Sequence, residues 1–271
     1  MPPLQLGLGL GTSGLDDHDE CVTTVEQALR AGYRHIDTAQ MYDNETAVGE
    51  GLARVVADPA TAITREDVVI ATKIHPDNLA PADVRETAHQ SLERLGLDRV
   101  DLLYVHWPIR TYDAAETLPI FDELREAGVT AHVGVSNFTP ELLREARDIL
   151  DAPIAAHQVE CHPRFHQPTL RELADAFDHH LVGYSPLGRG ELLSDPVLTD
   201  IAATQGVSPA VVALAWALAR DIVPIPKATG DHVIENRQAL DVTLPADVLE
   251  RIDALPPGDR LIDPDDAAWN Q

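Results

Sequence analysis

Short runs of β-forming residues alternate with helical patterns along the chain, and this alternation is what most limits its possible folds. The β-rich runs occupy 33–37, 68–74, 101–106, 131–136, 155–160, 180–185, 222–226 and about 239–244. Apolar residues recur at helical spacing in the segments 22–31, 81–95, 117–127, 139–149, 168–177, 207–219 and 245–254. Two helix starts carry a capping residue followed by proline, at Thr139-Pro140 and Ser208-Pro209. The pattern is typical of a parallel sheet covered by helices.

Two architectures fit such a pattern, a closed (β/α)8 barrel and an open doubly wound sheet. An open sheet that binds a dinucleotide needs a GxGxxG turn between a strand and a helix. The glycine-rich stretch GLGLGT (7–12) precedes the first predicted strand–helix unit and lacks that context. A length of 271 residues is ordinary for one barrel. We therefore predict an α/β protein with a (β/α)8 TIM barrel, as a single domain over residues 1–271.

The charge balance limits the partners of this chain. It has 45 acidic and 20 basic residues, a formal net charge of −25, which repels nucleic acids and anionic membranes. Only Lys73 and Lys227 are lysines, and aspartate is abundant. A surface of this kind suits concentrated salt, where charges are screened, and so predicts a halophilic source. The two retained lysines point to roles that arginine cannot fill.

The sequence also favours a cytoplasmic location. Two cysteines, Cys21 and Cys161, are too few for a disulfide framework. The N-terminal segment lacks the basic and apolar regions of a signal peptide. The most apolar helical stretch, 207–218, is too short to span a bilayer. We expect no membrane partner.

Polar side chains stand near the C-terminal ends of most predicted strands. They are Asp37, Lys73, His106, Ser136, Asn137, Gln158, Glu160, Tyr184, Ser185 and Lys227. Charged side chains are costly to bury without partners, and the active site of a (β/α)8 barrel lies at this end of the strands. The set therefore predicts one polar site there.

Seven motifs in order resemble the signatures of the aldo-keto reductase superfamily. They are GYRHIDTAQMYDNETAVG (32–49), ATKIH (71–75), YVHWP (104–108), GVSNF (134–138), HQVECHP (157–163), GYSPLGRG (183–190) and IPKA (225–228). The compact length of the chain resembles that of microbial reductases of the 2,5-diketogluconate and methylglyoxal-reducing type. The resemblance implies NAD(P)H-dependent reduction of aldehydes and ketones, with a small carbonyl compound as substrate.

The resemblance also implies a catalytic tetrad of Asp37, Tyr42, Lys73 and His106. Hydride transfer to a carbonyl leaves an alkoxide that needs a proton, and a free tyrosine, with a pKa of about 10, is a weak donor. We expect the Lys73 ammonium to lower the pKa of Tyr42 and Asp37 to hold Lys73 in place. His106 would donate a hydrogen bond to the substrate oxygen.

The cofactor and substrate residues follow from the same resemblance. Those implied near the nicotinamide and pyrophosphate are Gly11, Thr12, Ser136, Asn137, Gln158, Tyr184, Ser185 and Leu187. Those implied near the adenosine phosphate are Lys227, Ala228, Thr229, His232, Glu235 and Asn236. Trp107 and Trp269 are expected to line the substrate pocket.

The choice between the two nicotinamide cofactors is less sharply marked. Where relatives carry an arginine that binds the 2′-phosphate of NADPH, this chain has His232 beside Asp231. Neutral histidine replaces a bidentate arginine poorly, although Lys227 still offers one charge. We favour NADP(H), and NAD(H) stays open.

Two other functions compete with carbonyl reduction. One is a non-catalytic, nicotinamide-binding regulatory subunit on the same fold. The other is a metal-dependent hydrolase or lyase, suggested by His157, His162 and His166 with Glu160 and Cys161. Their spacing is not a standard zinc pattern, so we expect no metal. A monomer or a weak homo-oligomer is expected.

Overall fold

The computed structural model describes residues 4–270, which form eight strands and ten α-helices. The strands are β1 (Leu10–Gly11), β2 (His35–Asp37), β3 (Val69–Ile74), β4 (Val100–Val105), β5 (Thr130–Ser136), β6 (Ile154–Glu160), β7 (His180–Tyr184) and β8 (Ile222–Pro224). The helices are α1 (His18–Ala31), α2 (Glu45–Ala57), α3 (Pro81–Leu95), α4 (Ala114–Glu126), α5 (Pro140–Ile149), α6 (Pro168–Phe177), α7 (Pro196–Gln205), α8 (Pro209–Leu218), α9 (Asp231–Arg237) and α10 (Ala246–Asp253).

The strands form one parallel sheet whose spatial order is the order of the chain, from β1 to β8. Two backbone hydrogen bonds join the chain segments that contain the first and the last strand. The Gly9 N–H donates to the Pro224 carbonyl at 3.0 Å, and the Gly11 N–H donates to the Pro226 carbonyl at 3.1 Å. This arrangement agrees with the predicted α/β class and with a (β/α)8 barrel.

One predicted strand is wrong. Residues 239–244 are not a strand; a 3-10 turn (Gln238–Leu240) leads from α9 towards α10. The strand that completes the sheet is instead β1, inside the glycine-rich stretch that we had set aside. A Cβ on Gly9 would lie 2.6 Å from the His35 ring, and one on Gly11 would lie 2.7 Å from the Ile225 carbonyl oxygen. The close approach of β2 and β8 therefore requires glycine at these positions. Because glycine has a low strand propensity, residue preferences do not predict this strand.

The predicted helices are largely confirmed. The segments 81–95 and 168–177 coincide with α3 and α6. The hydroxyls of Thr139 and Ser208 each accept the backbone N–H three residues on, both at 3.3 Å, and so cap α5 and α8. The sequence analysis did not identify α2, α7 or α9.

Apolar side chains fill the space that the strands enclose towards the N-terminal ends of the strands. The inner cluster comprises Ala71, Leu102, Tyr104, Ala156, Val182, Val223 and Ile225. Further along the same strands the buried side chains are polar, as in Lys73 and Gln158. Since all strands run the same way, the polar positions meet at their C-terminal ends.

Between residues 4 and 270 no single helix is long and apolar enough to cross a membrane. Only the consecutive helices α7 and α8 reach that length and composition together, and the chain bends by 91° between them.

Candidate active site

A buried ion pair lies at the centre of the site. Asp37 ends β2 and Lys73 lies near the end of β3, and their side chains are 2% and 0% exposed. The Lys73 ammonium donates to one carboxylate oxygen of Asp37 and, at 2.8 Å, to the Thr38 carbonyl. Gln158 Nε2 donates to the other Asp37 oxygen at 2.7 Å. Because both charges are paired and hydrogen-bonded, their burial is tolerated.

Tyr42 and His106 complete this cluster. Tyr42 ends a one-turn 3-10 helix after β2, and Lys73 Nζ lies 5.0 Å from the centroid of its ring. The His106 ring meets the Tyr42 ring edge-on, with centroids 5.7 Å apart and planes at 84°. The structure thus brings together all four residues that the resemblance implies.

Two polar side chains that the sequence analysis missed hold the turn that carries Tyr42. Gln40 accepts the His75 N–H at 2.9 Å and donates to the Thr87 carbonyl at 3.0 Å. Asn44 donates to the Thr12 carbonyl and accepts the Thr38 hydroxyl, both at 2.8 Å. Both flank Tyr42 in the sequence, and this placement of amides on either side of it was the available signal.

Burial and charge together set the protonation states. Burial alone lowers the pKa of Lys73, but Asp37 and Tyr42 outweigh it, so the net pKa is raised and the side chain is an ammonium. Burial, with the nearby charge of Lys73, holds the pKa of His106 well below its usual range, so its imidazole is neutral. Burial raises the pKa of Tyr42 more than Lys73 lowers it. The net direction for Tyr42 is therefore upward, contrary to the expectation from the sequence.

A hydrogen-bond network joins the ends of β5, β6 and β7 next to this cluster. Asn137, in a left-handed conformation (φ 63°), donates from Nδ2 to the His106 carbonyl and to Ser136 Oγ, both at 3.0 Å. The Tyr184 hydroxyl donates to Asn137 Oδ1 at 2.9 Å, and Ser136 Oγ donates to the Gln158 carbonyl at 2.9 Å. A fixed, half-buried aromatic ring beside amide groups fits a flat heteroaromatic ring that carries a carboxamide.

The other residues implied for the cofactor lie on three loops. Thr12, just after Gly11 of β1, donates its hydroxyl to the Asp37 carbonyl at 3.0 Å. Ser185 (φ 49°) begins the loop after β7, which also holds Leu187. Lys227, just after β8, is exposed, and a Cβ on Gly14 would lie 3.6 Å from its Nζ.

In the segment after Lys227, a carboxylate lies beside His232, the residue expected near the cofactor phosphate. Ala228 is buried, Thr229 is half-buried, and Asn236 is buried on α9. His232 is exposed, and its Nδ1 lies 3.1 Å from the Glu235 carboxylate. A phosphate near His232 would therefore meet a competing negative charge.

The two tryptophans implied for the substrate pocket are in contact. The Trp107 and Trp269 rings are 5.6 Å apart, and Trp107 directly follows His106. Segment 256–270 therefore reaches the site.

The residues considered for a metal have separate partners. His162 Nε2 lies 3.2 Å from a Glu160 carboxylate oxygen, and His166 Nε2 lies 2.6 Å from the Pro163 carbonyl oxygen. The ring centroids of His157 and His179 are 6.2 Å apart. Within the described part of the chain, no three His, Cys, Asp or Glu side chains are grouped so that they could hold a metal ion.

Comparison with known proteins places this geometry in context. Residues 5–256 match the profile of the Aldo/keto reductase family. The chain is 39% identical to an aldo-keto reductase of Mycobacterium avium, over 94% of this chain and 87% of that protein. It is 35% identical to the methylglyoxal reductase DkgB of Salmonella typhimurium, over 96% of each. Among solved structures it is similar to a putative 2,5-diketo-D-gluconic acid reductase B, with a TM-score of 0.91, 34% identity and coverage of 97% of this chain and 92% of the other. It is also similar to an aldose reductase from Giardia lamblia, with a TM-score of 0.93, 29% identity and coverage of 98% and 97%.

Proposed function

This chain belongs to the aldo/keto reductase family, and we propose that it reduces small aldehydes and ketones to alcohols with Tyr42 as the proton donor. Members of this family are NAD(P)H-dependent oxidoreductases that act on carbonyl groups, and this chain is one of them. The observation that carries the proposal is the buried Lys73 ammonium, held by Asp37, with Nζ 5.0 Å from the centroid of the Tyr42 ring.

In this proposal, the chain's own residues control a proton and the orientation of the carbonyl. A bound reduced nicotinamide would supply the hydride, held by Ser136, Asn137, Gln158 and Tyr184. Neutral His106 donates a hydrogen bond to the carbonyl oxygen and orients it. Tyr42, which is protonated at neutral pH, gives its proton to the oxygen as negative charge develops there.

Lys73 acts after the proton has left. The phenolate of Tyr42 lies next to a permanent ammonium, which stabilises it by a direct charge interaction in a buried site. Asp37 keeps that ammonium in place, and Gln158 and Lys73 together fix both oxygens of Asp37. Arginine at position 73 would carry charge but not the same compact geometry.

NADP(H) is the proposed cofactor, with NAD(H) as the alternative. Lys227 is an exposed cation beside the loop after β1 in a chain of net charge −25, which supports a phosphate near it. The Glu235 carboxylate beside His232 works against strong discrimination. We therefore expect a modest preference for NADPH, which Lys227→Met reduces.

We propose several general features of the protein together with the activity. The chain acts as a single barrel domain, as a monomer or weak homo-oligomer, in the cytoplasm. The 2,5-diketogluconate and methylglyoxal reductases among its relatives support small polar carbonyl compounds as substrates.

The test is oxidation of NADPH and of NADH, followed separately with a panel of small aldehydes and ketones in low and high potassium chloride. Turnover that Tyr42→Phe abolishes supports the proposal, and the faster cofactor decides the preference. Tight cofactor binding without turnover on any compound would instead support a regulatory subunit. Activity lost to a chelator would support the metal-dependent alternative.

A further inference from the structure

The segment that follows α10, residues 256–270, is fastened to the barrel at the end of β6; we call it the strap. The Gly258 N–H donates to the Arg164 carbonyl at 2.7 Å. The Leu261 N–H donates to both carboxylate oxygens of Glu160, at 2.9 and 3.1 Å, and the Ile262 N–H donates to one of them at 2.9 Å. The carboxylate of a single side chain thus accepts hydrogen bonds from two consecutive backbone N–H groups of the strap.

Glu160 is suited to this contact by its burial and charge. Its side chain is 0% exposed, and burial alone would raise its pKa. The hydrogen bonds from His162, Leu261 and Ile262 outweigh burial, so the pKa is lowered and the group is a carboxylate. His162 Nδ1 accepts the Arg164 N–H at 3.2 Å, which leaves Nε2 to donate to Glu160. A buried carboxylate with this many donors is costly to build, and the proton transfer proposed above does not use it.

The strap residues on either side of this contact hold Trp269. Asp263 accepts the indole N–H of Trp269 at 2.8 Å and the side-chain amide of Asn270 at 2.8 Å. The guanidinium carbon of Arg260 lies 3.6 Å from the centroid of the Trp269 ring. The part of the strap that Glu160 fastens is therefore the part that carries Trp269.

Trp269 in turn packs against Trp107, the residue that follows His106; we call these two rings the Trp107–Trp269 wall. Its ring lies 5.6 Å from that of Trp107, and the fully buried Ala267 packs in the same cluster with Ile109 and Ile262. A continuous set of contacts thus runs from Glu160, through the strap, to the residue that follows His106.

We propose that Glu160 is a positioning residue for substrate binding. Its carboxylate fixes the strap, and the strap fixes the Trp107–Trp269 wall beside His106. The proposal rests on the proposed carbonyl reduction for its catalytic consequence, but the fastening itself is a property of the protein without substrate.

The experiment compares Glu160→Gln with Asp101→Asn. Glutamine keeps the shape of Glu160 but replaces one acceptor oxygen with a donor. Asp101 is a matched control, since its carboxylate also binds a backbone N–H, that of Ile70 at 2.8 Å, near the opposite ends of the strands. Amide hydrogen exchange is followed at Leu261 and Ile262 in each variant. We expect exchange there to accelerate about tenfold or more in Glu160→Gln only, because bonds to a charged acceptor are lost.

Kinetics then tests the consequence for the substrate. We expect Glu160→Gln to raise the KM for the aldehyde roughly tenfold while kcat changes less than about twofold, since the tetrad is untouched. Unchanged exchange at Leu261 and Ile262 would overturn the fastening, and faster exchange with an unchanged KM would overturn the positioning role. Absence of carbonyl reduction in the unsubstituted protein would remove that role with the proposed function, while exchange would still decide the fastening.

A second variant covers the case in which Glu160→Gln does not fold. Trp269→Ala leaves the barrel side of the contact intact, and we expect it to raise KM to a similar extent. Where Glu160→Gln does fold, the double variant with Trp269→Ala should have no higher KM than Trp269→Ala alone, because Glu160 acts through the strap. An unchanged KM in Trp269→Ala, or full additivity of the two changes, would overturn the proposal.

Discussion

Tyr42 is subject to two opposing influences at the scale of a single residue. Burial raises its pKa above the usual value, and the Lys73 ammonium only partly offsets this. The phenol therefore stays protonated to a higher pH than free tyrosine, and His106, whose pKa is lowered, stays neutral from pH 7 upward. We predict that kcat for carbonyl reduction is level between about pH 7 and about pH 10, the usual pKa of tyrosine. Stopped-flow measurement of kcat across that range checks it.

Substitution of Tyr42 provides the matching control for this profile. Tyr42→Phe should lower kcat by about 10²–10⁴-fold at every pH, the usual contribution of a general acid. Tyr112→Phe also removes a phenol whose pKa burial raises, but one outside the tetrad, and should keep the level profile. A fall in the unsubstituted kcat centred between pH 7 and pH 8 would contradict a raised pKa for Tyr42, since it requires either a lowered pKa of Tyr42 or another group as the acid.

The sequence is enough to propose the four tetrad residues, but not to predict the balance among them. Their types and motif order sufficed to name Asp37, Tyr42, Lys73 and His106. The net direction of the Tyr42 pKa depends on how much of its ring other elements cover, which no local pattern contains. The bond from Gln158 to Asp37 likewise joins residues 121 positions apart.

At the scale of elements, a histidine in β6 faces a histidine just before β7. Burial lowers the pKa of His157 to about 3, with a further contribution from His179, and burial lowers the pKa of His179 to about 4, with a contribution from Arg147. Both are neutral in the folded protein and become protonated in the unfolded chain below pH 6.5. The unfolded chain then binds more protons, so stability falls as pH falls from about 6.5 towards 4.

We predict a loss of about 1.4 kcal/mol of unfolding free energy per buried histidine at about pH 5.5, one unit below the usual histidine value. Urea unfolding at neutral pH and at that pH measures it. His179→Gln should reduce the dependence by the contribution of one histidine, whereas substitution of the exposed His89 with glutamine should leave it unchanged. An equal dependence in all three proteins would mean that other groups cause the acid sensitivity.

Elements are predictable where a pattern is long and one-sided. Segment 81–95 shows apolar residues at helical spacing over four turns, and its limits were correct. Strand β1 has only two residues and forms because it lies between β2 and β8. Its own sequence is too short to show an alternating apolar pattern that would predict a strand. The segment 239–244 contains β-forming residues but has no open sheet edge to join, because the segments around β1 and β8 are already hydrogen-bonded to each other.

For the whole molecule, we expect the net charge of −25 to make thermal stability depend on the salt concentration. Like charges on one surface repel, and raising ionic strength from about 0.01 M to about 1 M shortens the screening length from roughly 30 Å to roughly 3 Å. We predict that the thermal midpoint rises by several degrees over this range, since roughly 1 kcal/mol corresponds to about 2–4 °C in a protein of this size. Scanning calorimetry in potassium chloride measures it.

Sucrose separates screening from general stabilisation. It is excluded from protein surfaces but does not screen charge. At matched osmolality it should raise the midpoint less than potassium chloride does. A midpoint that does not respond to salt would remove the basis for a halophilic source.

The Gly11 N–H donates to the Pro226 carbonyl, so the ring of strands is joined by segments that lie far apart in the sequence. During synthesis, β1 is made more than two hundred residues before its partner on one side. The ring therefore closes only after β8 has left the ribosome. The residues proposed for catalysis and cofactor binding span from Gly11 to Asn236, so a truncated chain that lacks β8 would carry the whole tetrad but no finished barrel to hold it.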